Sequence, residues 1–205
     1  SSLKQITPGN VDDLELAWQY RTGEKQRRGD EIFAQSKDQN IPLVVAGNLI
    51  VCTPFNRVIG LDPASGKERW VFDAEISLDL EEPSTYACRG VAHWRDDDSS
   101  EEEACHDRLL FGTNDLRFFA IDARTGKQCA GFGDGGVVQL PPSKPELYRG
   151  ELQHQFPPAV INDVVVIGSA IGDNQRSDSP SGRVQAFSVR DGSRLWEFDA
   201  IPRSE

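Results

Sequence analysis

The strongest constraint on the fold is a turn that the chain uses three times. Leu61 to Trp70 reads LDPASGKERW: an apolar run, a bend and an aromatic residue that opens the next run. Asp62 can accept hydrogen bonds from backbone N–H groups two residues on, and Gly66 supplies the positive φ of a four- or five-residue hairpin loop. The device returns in Ile121 to Ala130, IDARTGKQCA, with Asp122 and Gly126 four apart. It returns again in Phe187 to Trp196, FSVRDGSRLW, with Ser188, Gly192 and Trp196 four apart. The turn glycines are separated by 60 and 66 residues, and Trp18-Gln19-Tyr20 repeats the aromatic form of Trp70-Val71-Phe72. Self-similarity at a near-fixed period points to a repeat architecture.

Short apolar runs fill the spaces between these turns. Pro42–Ala46 and Leu49–Thr53 flank Gly47-Asn48, a hairpin signature. Ala159–Ile161 and Val164–Gly168 flank Asn162-Asp163. Arg57–Leu61, Gly90–Trp94, Arg108–Gly112, Arg117–Ile121, Gly182–Val189 and Arg194–Phe198 complete the series. The expected fold is all-β: about three four-stranded blades of a β-propeller, spanning about 18–70, 70–130 and 130–196. The alternative is a twelve-stranded antiparallel sandwich, which has no reason to repeat a Trp-ended turn. Three blades cannot close a ring, so the chain reads as an excerpt of a longer propeller domain covering 1–205, with both flanking faces open. One short helix is expected after Asn10, an N-cap candidate followed by Asp12 and Asp13. Gly23–Asn40 reads as a polar stretch with Arg27–Asp30 as a loop. Pro141–Gln155 reads as a polar, Pro-rich excursion, and Gly131–Gly136 as a flexible loop, with phosphate binding as its alternative.

With 38% hydrophobic and 27% charged residues, the chain can bury a core. Its net charge of −11 argues against a nucleic-acid partner, which needs a basic face. Much of that charge is in Asp96–Glu103, DDDSSEEE, expected as a solvated loop tip; direct Ca²⁺ binding is the alternative. No apolar run is long enough to span a membrane and no signal peptide is visible. The four cysteines, Cys52, Cys88, Cys105 and Cys129, permit two disulfides without fixing the pairing. Cys88 and Cys105 flank the acidic run and could face each other across a hairpin. A zinc site from Cys88, His93, Cys105 and His106 is the other reading.

The turn form resembles the tryptophan-docking repeat of the quinoprotein dehydrogenases, in which an indole at the end of one blade packs on its neighbour. The second repeat departs, with Ala130 where Trp is expected. More specific are Cys88–Trp94 (CRGVAHW), Val51–Asn56 with its following turn, Phe111–Arg117 (FGTNDLR) and Gly168–Asn174 (GSAIGDN) followed by Ser181-Gly182. These are similar, in order along nearly the whole chain, to the glucose dehydrogenases that use pyrroloquinoline quinone (PQQ); quinate and polyol dehydrogenases are similar here too. The resemblance implies an eight-bladed propeller holding PQQ and a divalent cation, Ca²⁺ or Mg²⁺, near its axis. It implies a dehydrogenase that oxidises a sugar or polyol by hydride transfer to PQQ and hands electrons to ubiquinone. It also implies a periplasmic location, with a membrane anchor in a segment outside these 205 residues. A cofactor-free propeller of the outer-membrane assembly lipoprotein type is the competing class, and a free-standing fragment that assembles through its open flanks is a third.

The same resemblance implies that Arg89 contacts PQQ, whose three carboxylates and adjacent carbonyls suit a guanidinium fork. Read without the motif, Arg89 is a blade-edge ion pair. Asp173 and Asn174 match the positions that hold the cation, and their oxygens suit a hard ion; ordinary turn chemistry is the plainer reading. Thr113 and Asn114 fall at a strand end that faces PQQ in the family, or in a turn. Thr85 stands where the glucose enzymes often place a His, and Gln39 where an acidic residue is often found; Gln39 can still hydrogen-bond a carboxylate. The adjacent-cysteine disulfide of the methanol-oxidising relatives is absent. The family's catalytic Asp base belongs to a later blade, so no catalytic residue is assigned here, and the chain alone is expected to be inactive.

Overall fold

The structure, a computed structural model, describes residues 5–81, 84–172 and 175–201. Among these, three four-stranded antiparallel sheets follow one another along the chain. Sheet one holds Leu43–Val45, Asn48–Cys52, Arg57–Leu61 and Glu68–Asp73. Sheet two holds Ala92–Arg95, Asp107–Gly112, Arg117–Asp122 and Val137–Gln139. Sheet three holds Ala159–Ile161, Val164–Ile167, Val184–Ser188 and Arg194–Phe198. Strands pair in sequence order within each sheet, as in a propeller blade, and the chain is a partial propeller rather than a sandwich.

The sheets stack through alternating side chains. In sheet two, Leu109, Phe111, Phe119 and Ile121 face sheet one and join Ile50, Val58 and Phe55. The intervening Leu110, Phe118 and Ala120 face sheet three and join Val165, Ile167 and Phe187. Successive strand residues point to opposite faces, so a sheet covered on both sides reads as an unbroken apolar run. LLFG and FFAI are such runs. The last strand, Arg194–Phe198, has one sheet behind it and is exposed along its length.

The repeated turns form as the sequence implies. The Asp62 carboxylate accepts the N–H groups of Ala64 and Ser65 at 3.0 and 2.8 Å, and Gly66 closes the bend at φ 69°. Asp122 does the same for Arg124 and Thr125 at 3.0 and 2.8 Å, with Gly126 at φ 73°. An ideal Cβ on Gly66 would fall within 3 Å of the Trp18 ring, and one on Gly126 within 3 Å of Trp70. Each indole therefore rests on a bend where side-chain absence and positive φ are both required. Trp70 pairs with Gly60 and Trp196 with Ala186, each just before a β-bulge, so the two residues hold the same place in their blades. At the second repeat the chain leaves the sheet after Gln128, runs through Cys129–Gly136, and only then rejoins as Val137–Gln139. Ala130 lies in that insertion, and Phe132 and Val138 pack on Gly192 in place of an indole.

Several expectations need correction. Glu24–Ala34 is helical, broken at Gly29 (φ 79°, ψ 165°), where a polar loop was expected. What makes it a helix is tertiary: Glu24 is buried against Arg57 at 2.8 Å, and Arg28 reaches both Glu24 and Asp73. Asn10 accepts from the Thr7 N–H and hydroxyl rather than capping forward, and only a 3₁₀ turn, Val11–Asp13, follows. The first hairpin turns at Ala46-Gly47, one residue early, with both at positive φ. The cysteines pair as Cys52–Cys88 and Cys105–Cys129, so Cys88 does not face Cys105 and the zinc reading falls. The acidic run is a largely exposed loop, as expected, with Asp96 and Ser99 half-buried. Asp96 and Asp98 pair with Arg190 of sheet three at 2.8 and 2.9 Å, which ties the loop to the next blade. No helix among the described residues is long and apolar enough to cross a membrane.

Two outcomes follow for the turns. Hydrogen bonds from the Ser65 hydroxyl and N–H, then from Arg69, hold the Asp62 carboxylate down to about 2 from 3.8. Its contribution to stability is present above the unfolded pKa and lost as pH falls from about 3.8 through about 2. An NMR titration of Asp62 should give a midpoint near 2, and a midpoint in the ordinary range would mean the turn is not anchored this way. Gly126→Ala should destabilise by about 2–4 kcal/mol, from αL strain and overpacking against Trp70. Gly131→Ala, whose Cβ meets open space, should stay within about 0.5 kcal/mol. Equal effects in denaturant unfolding would refute the docking role.

Candidate functional site

Three segments lead into the first strands of the three sheets, and they lie side by side. Ser36–Asp38 pairs in parallel with Tyr86–Cys88. Past that pair, the Arg89 C=O accepts the Ile41 N–H at 3.0 Å, and the Arg89 N–H is donated to the Gln155 C=O at 2.8 Å. Leu152–Gln153, at the head of the third segment, pairs with Ala170–Ile171. In a propeller the first strand of each blade is innermost, so these segments form the wall nearest the axis.

Arg89 is fixed at the centre of this wall. Its backbone is bonded on both sides, and Cys88, immediately before it, is joined to Cys52 of sheet one with Cα atoms 5.9 Å apart. Its guanidinium lies over the Phe156 ring, 4.3 Å from the centroid. Its Nε is buried with no hydrogen-bond partner, and no carboxylate among the described residues lies within ion-pair distance. The blade-edge ion pair that would explain Arg89 without a ligand is thus not seen there. Arg89 is half-buried, and only its Nε is enclosed; a guanidinium with no carboxylate against it suits an anion or carbonyl oxygen at its outer N–H groups, since leaving such donors unmet is costly. Gln39 follows Asp38 on the neighbouring segment, one residue past the Asp38–Cys88 pair, and is exposed.

Asn114 and Thr113 occupy the floor. Asn114 is 2% exposed and fully engaged. Its side-chain N–H groups reach Asn56 Oδ1 at 2.7 Å and the Pro54 C=O at 3.2 Å. Its Oδ1 accepts from the Ala87 N–H and from Gln153 and Gln155 at 3.3–3.4 Å. It joins two sheets to the second and third lead-in segments. The Thr113 hydroxyl is donated to Asp115 at 2.6 Å, and Thr113 Oγ1 accepts the Arg117 N–H at 3.0 Å. Thr53 closes the matching turn onto Arg57 in sheet one, so this is a repeated turn of the blade. Thr85 precedes Tyr86, and its C=O accepts from Gln153 and Gln155 at 3.3 and 2.8 Å. With Ser84, Gln153, Gln155, Ala170 and Gly172 it lines a polar cleft of about 260 Å³. Asp173 and Asn174 lie outside the described residues. Among the residues described, no three His, Cys, Asp or Glu side chains gather as a metal site.

The third lead-in segment carries no motif: in the sequence Gln153 and Gln155 fall within a polar excursion and Phe156 just after it. The available signal was the Gln153–Gln155 alternation, which puts two amides on one face of an extended chain. His154, between them, points the other way, where burial lowers its pKa despite a hydrogen bond to the Gly168 C=O at 2.8 Å.

Over residues 1–205 the chain matches the family described as "PQQ: Glucose/ethanol/alcohol dehydrogenase, beta-propeller domain". It is similar to the glycerol dehydrogenase large subunit of Gluconobacter oxydans strain 621H, 37% identical over 97% of this chain and 26% of that protein. It is similar to quinoprotein glucose dehydrogenase A of Acinetobacter calcoaceticus, 33% identical over 97% of this chain and 26% of that protein. The fold matches the quinohemoprotein alcohol dehydrogenase of Comamonas testosteroni with a TM-score of 0.75 at 24% identity, over 100% of this chain and 26% of that one. The chain spans about a quarter of the length of these relatives. A match along the whole chain, carried on three radially stacked sheets, places this protein in the PQQ-dependent dehydrogenase β-propeller family.

Proposed function

We propose that these residues are consecutive blades of a single PQQ propeller domain, part of an enzyme that oxidises a sugar or polyol. Their task is to hold one side of the cofactor. The observation that carries this reading is Arg89: a guanidinium fixed through its backbone and the adjacent disulfide, with a buried N–H left without a partner. The residues fit the group, since PQQ presents carboxylates and carbonyls and Arg89 presents donors. Gln39, beside Arg89, adds an amide that meets a carboxylate without repulsion. Thr85 borders the polar cleft next to these groups. Asn114 and Thr113 act one layer behind, holding the lead-in segments in register. Asp173 and Asn174 are proposed to hold the cation, as a carboxylate beside an amide carbonyl suits Ca²⁺ or Mg²⁺. When bound, PQQ supplies the two-electron oxidant and the cation supplies Lewis acidity. What this chain does is bind and orient: Arg89 fixes the position and charge balance of the cofactor's edge, and the satisfied network around Asn114 keeps that edge rigid.

The glycerol and glucose relatives leave the substrate open between a polyol and a sugar. Ubiquinone is the proposed electron acceptor of the full enzyme. The two disulfides support an oxidising compartment, hence the periplasm. A cofactor-free scaffold would have no use for a fixed guanidinium that no carboxylate among the described residues meets.

Arg89→Ala in the full-length enzyme should weaken PQQ binding about 10- to 150-fold, the worth of a charge-assisted pair. Arg89→Lys, which keeps charge and loses the planar fork, should fall between the two. Titration of the apo-enzyme with PQQ reads this directly, and unchanged affinity in Arg89→Ala would overturn the reading. The 205-residue chain alone, given PQQ and Ca²⁺, should show no dye-linked oxidation of glucose or glycerol. Turnover would show that the catalytic base lies within it.

A further inference from the structure

Phe156 is a large apolar side chain left 46% exposed on the axis-facing wall. It contributes to neither buried core cluster. Its partner is Arg89, whose guanidinium carbon sits 4.3 Å from the ring centroid, within the range of a cation–π contact. The backbone that carries the ring is restrained on both sides. Before it, Gln155 accepts the Arg89 N–H through its C=O and donates its side chain to the Thr85 C=O, both at 2.8 Å. After it come Pro157 and Pro158, and a residue that precedes proline is confined to extended backbone. Phe156 thus stands on a restrained backbone, and its ring lies against the Arg89 guanidinium.

We propose that Phe156 is a positioning residue that sets the plane of the Arg89 guanidinium for its PQQ contact; this rests on the reading of Arg89 given above. A guanidinium is planar and its donors point outward in that plane, so covering one face with a phenyl ring leaves the N–H edge free while fixing its direction. The ring also keeps water off that face, which strengthens the pairing of the charge with an anionic partner. An arginine with several rotatable bonds would otherwise lose more freedom on binding. A phenyl plate set beside it removes much of that cost beforehand.

The test is a double-mutant cycle in the full-length apo-enzyme, titrated with PQQ. Phe156→Leu should weaken binding about five- to twentyfold, while Phe156→Trp, which keeps an aromatic face, should stay within about twofold of the parent. In an Arg89→Ala background, Phe156→Leu should have no further effect, because its action runs through the guanidinium. A purely structural role would give the same loss in both backgrounds, and that result would overturn the proposal. So would unchanged binding in Phe156→Leu when Arg89→Ala binds weakly; the Arg89 reading would then stand. Unchanged binding in Arg89→Ala would overturn both.

Discussion

The seating of an indole on the bend glycine of the next blade is the contact on which the arrangement depends. It needs an Asp to anchor the bend, a glycine to leave space at positive φ, and an aromatic residue at the end of the preceding blade. Trp18 on Gly66 and Trp70 on Gly126 meet these terms in succession. Because each contact joins the outermost strand of one sheet, or the segment before it, to the turn of the next, it fixes their relative rotation. That rotation brings the lead-in segments together at the other edge. The backbone bonds from Ile41 to Arg89 and from Arg89 to Gln155 depend on it.

The repeated turns, the three sheets and the hairpin at Asn162-Asp163 were legible in the sequence because each rests on local chemistry: a side-chain oxygen near its own backbone, or a residue that tolerates positive φ. Glu24–Ala34 was not legible. Its polar composition and central Gly29 speak for a loop, and what makes it helical is burial of Glu24 against Arg57, 33 residues away. Ala130 hides a similar problem. An insertion displaces the strand to Val137–Gln139, so fixed spacing from the turn points to the wrong residue. The cysteine pairing joins separate blades in one case and turn to insertion in the other, and neither is encoded by spacing.

The site was legible unevenly. Arg89 stands out through the CRGV motif, and its setting adds a guanidinium with a buried Nε that no protein group meets. Asn114 lies beside these segments, and its hydrogen bonds all return to protein groups, so its part is to hold the wall. Gln155 and Phe156 carried no motif. They become visible only when the third segment is laid beside the second, which is a property of the stacked blades and not of any one stretch.

The two edges of the sheet stack are spaced by different materials. At the inner edge, Ser36–Asp38 and Tyr86–Cys88 are joined by backbone hydrogen bonds, which hold neighbours about 5 Å apart. Farther out, side chains such as Trp70, Phe72 and Phe119 fill the space, and packed sheets sit about 10 Å apart. Planes held close on one side and propped apart on the other must splay like the leaves of an opened fan. The arc that carries the blades around a central channel is therefore written into the difference between a peptide-width spacer and an aromatic one.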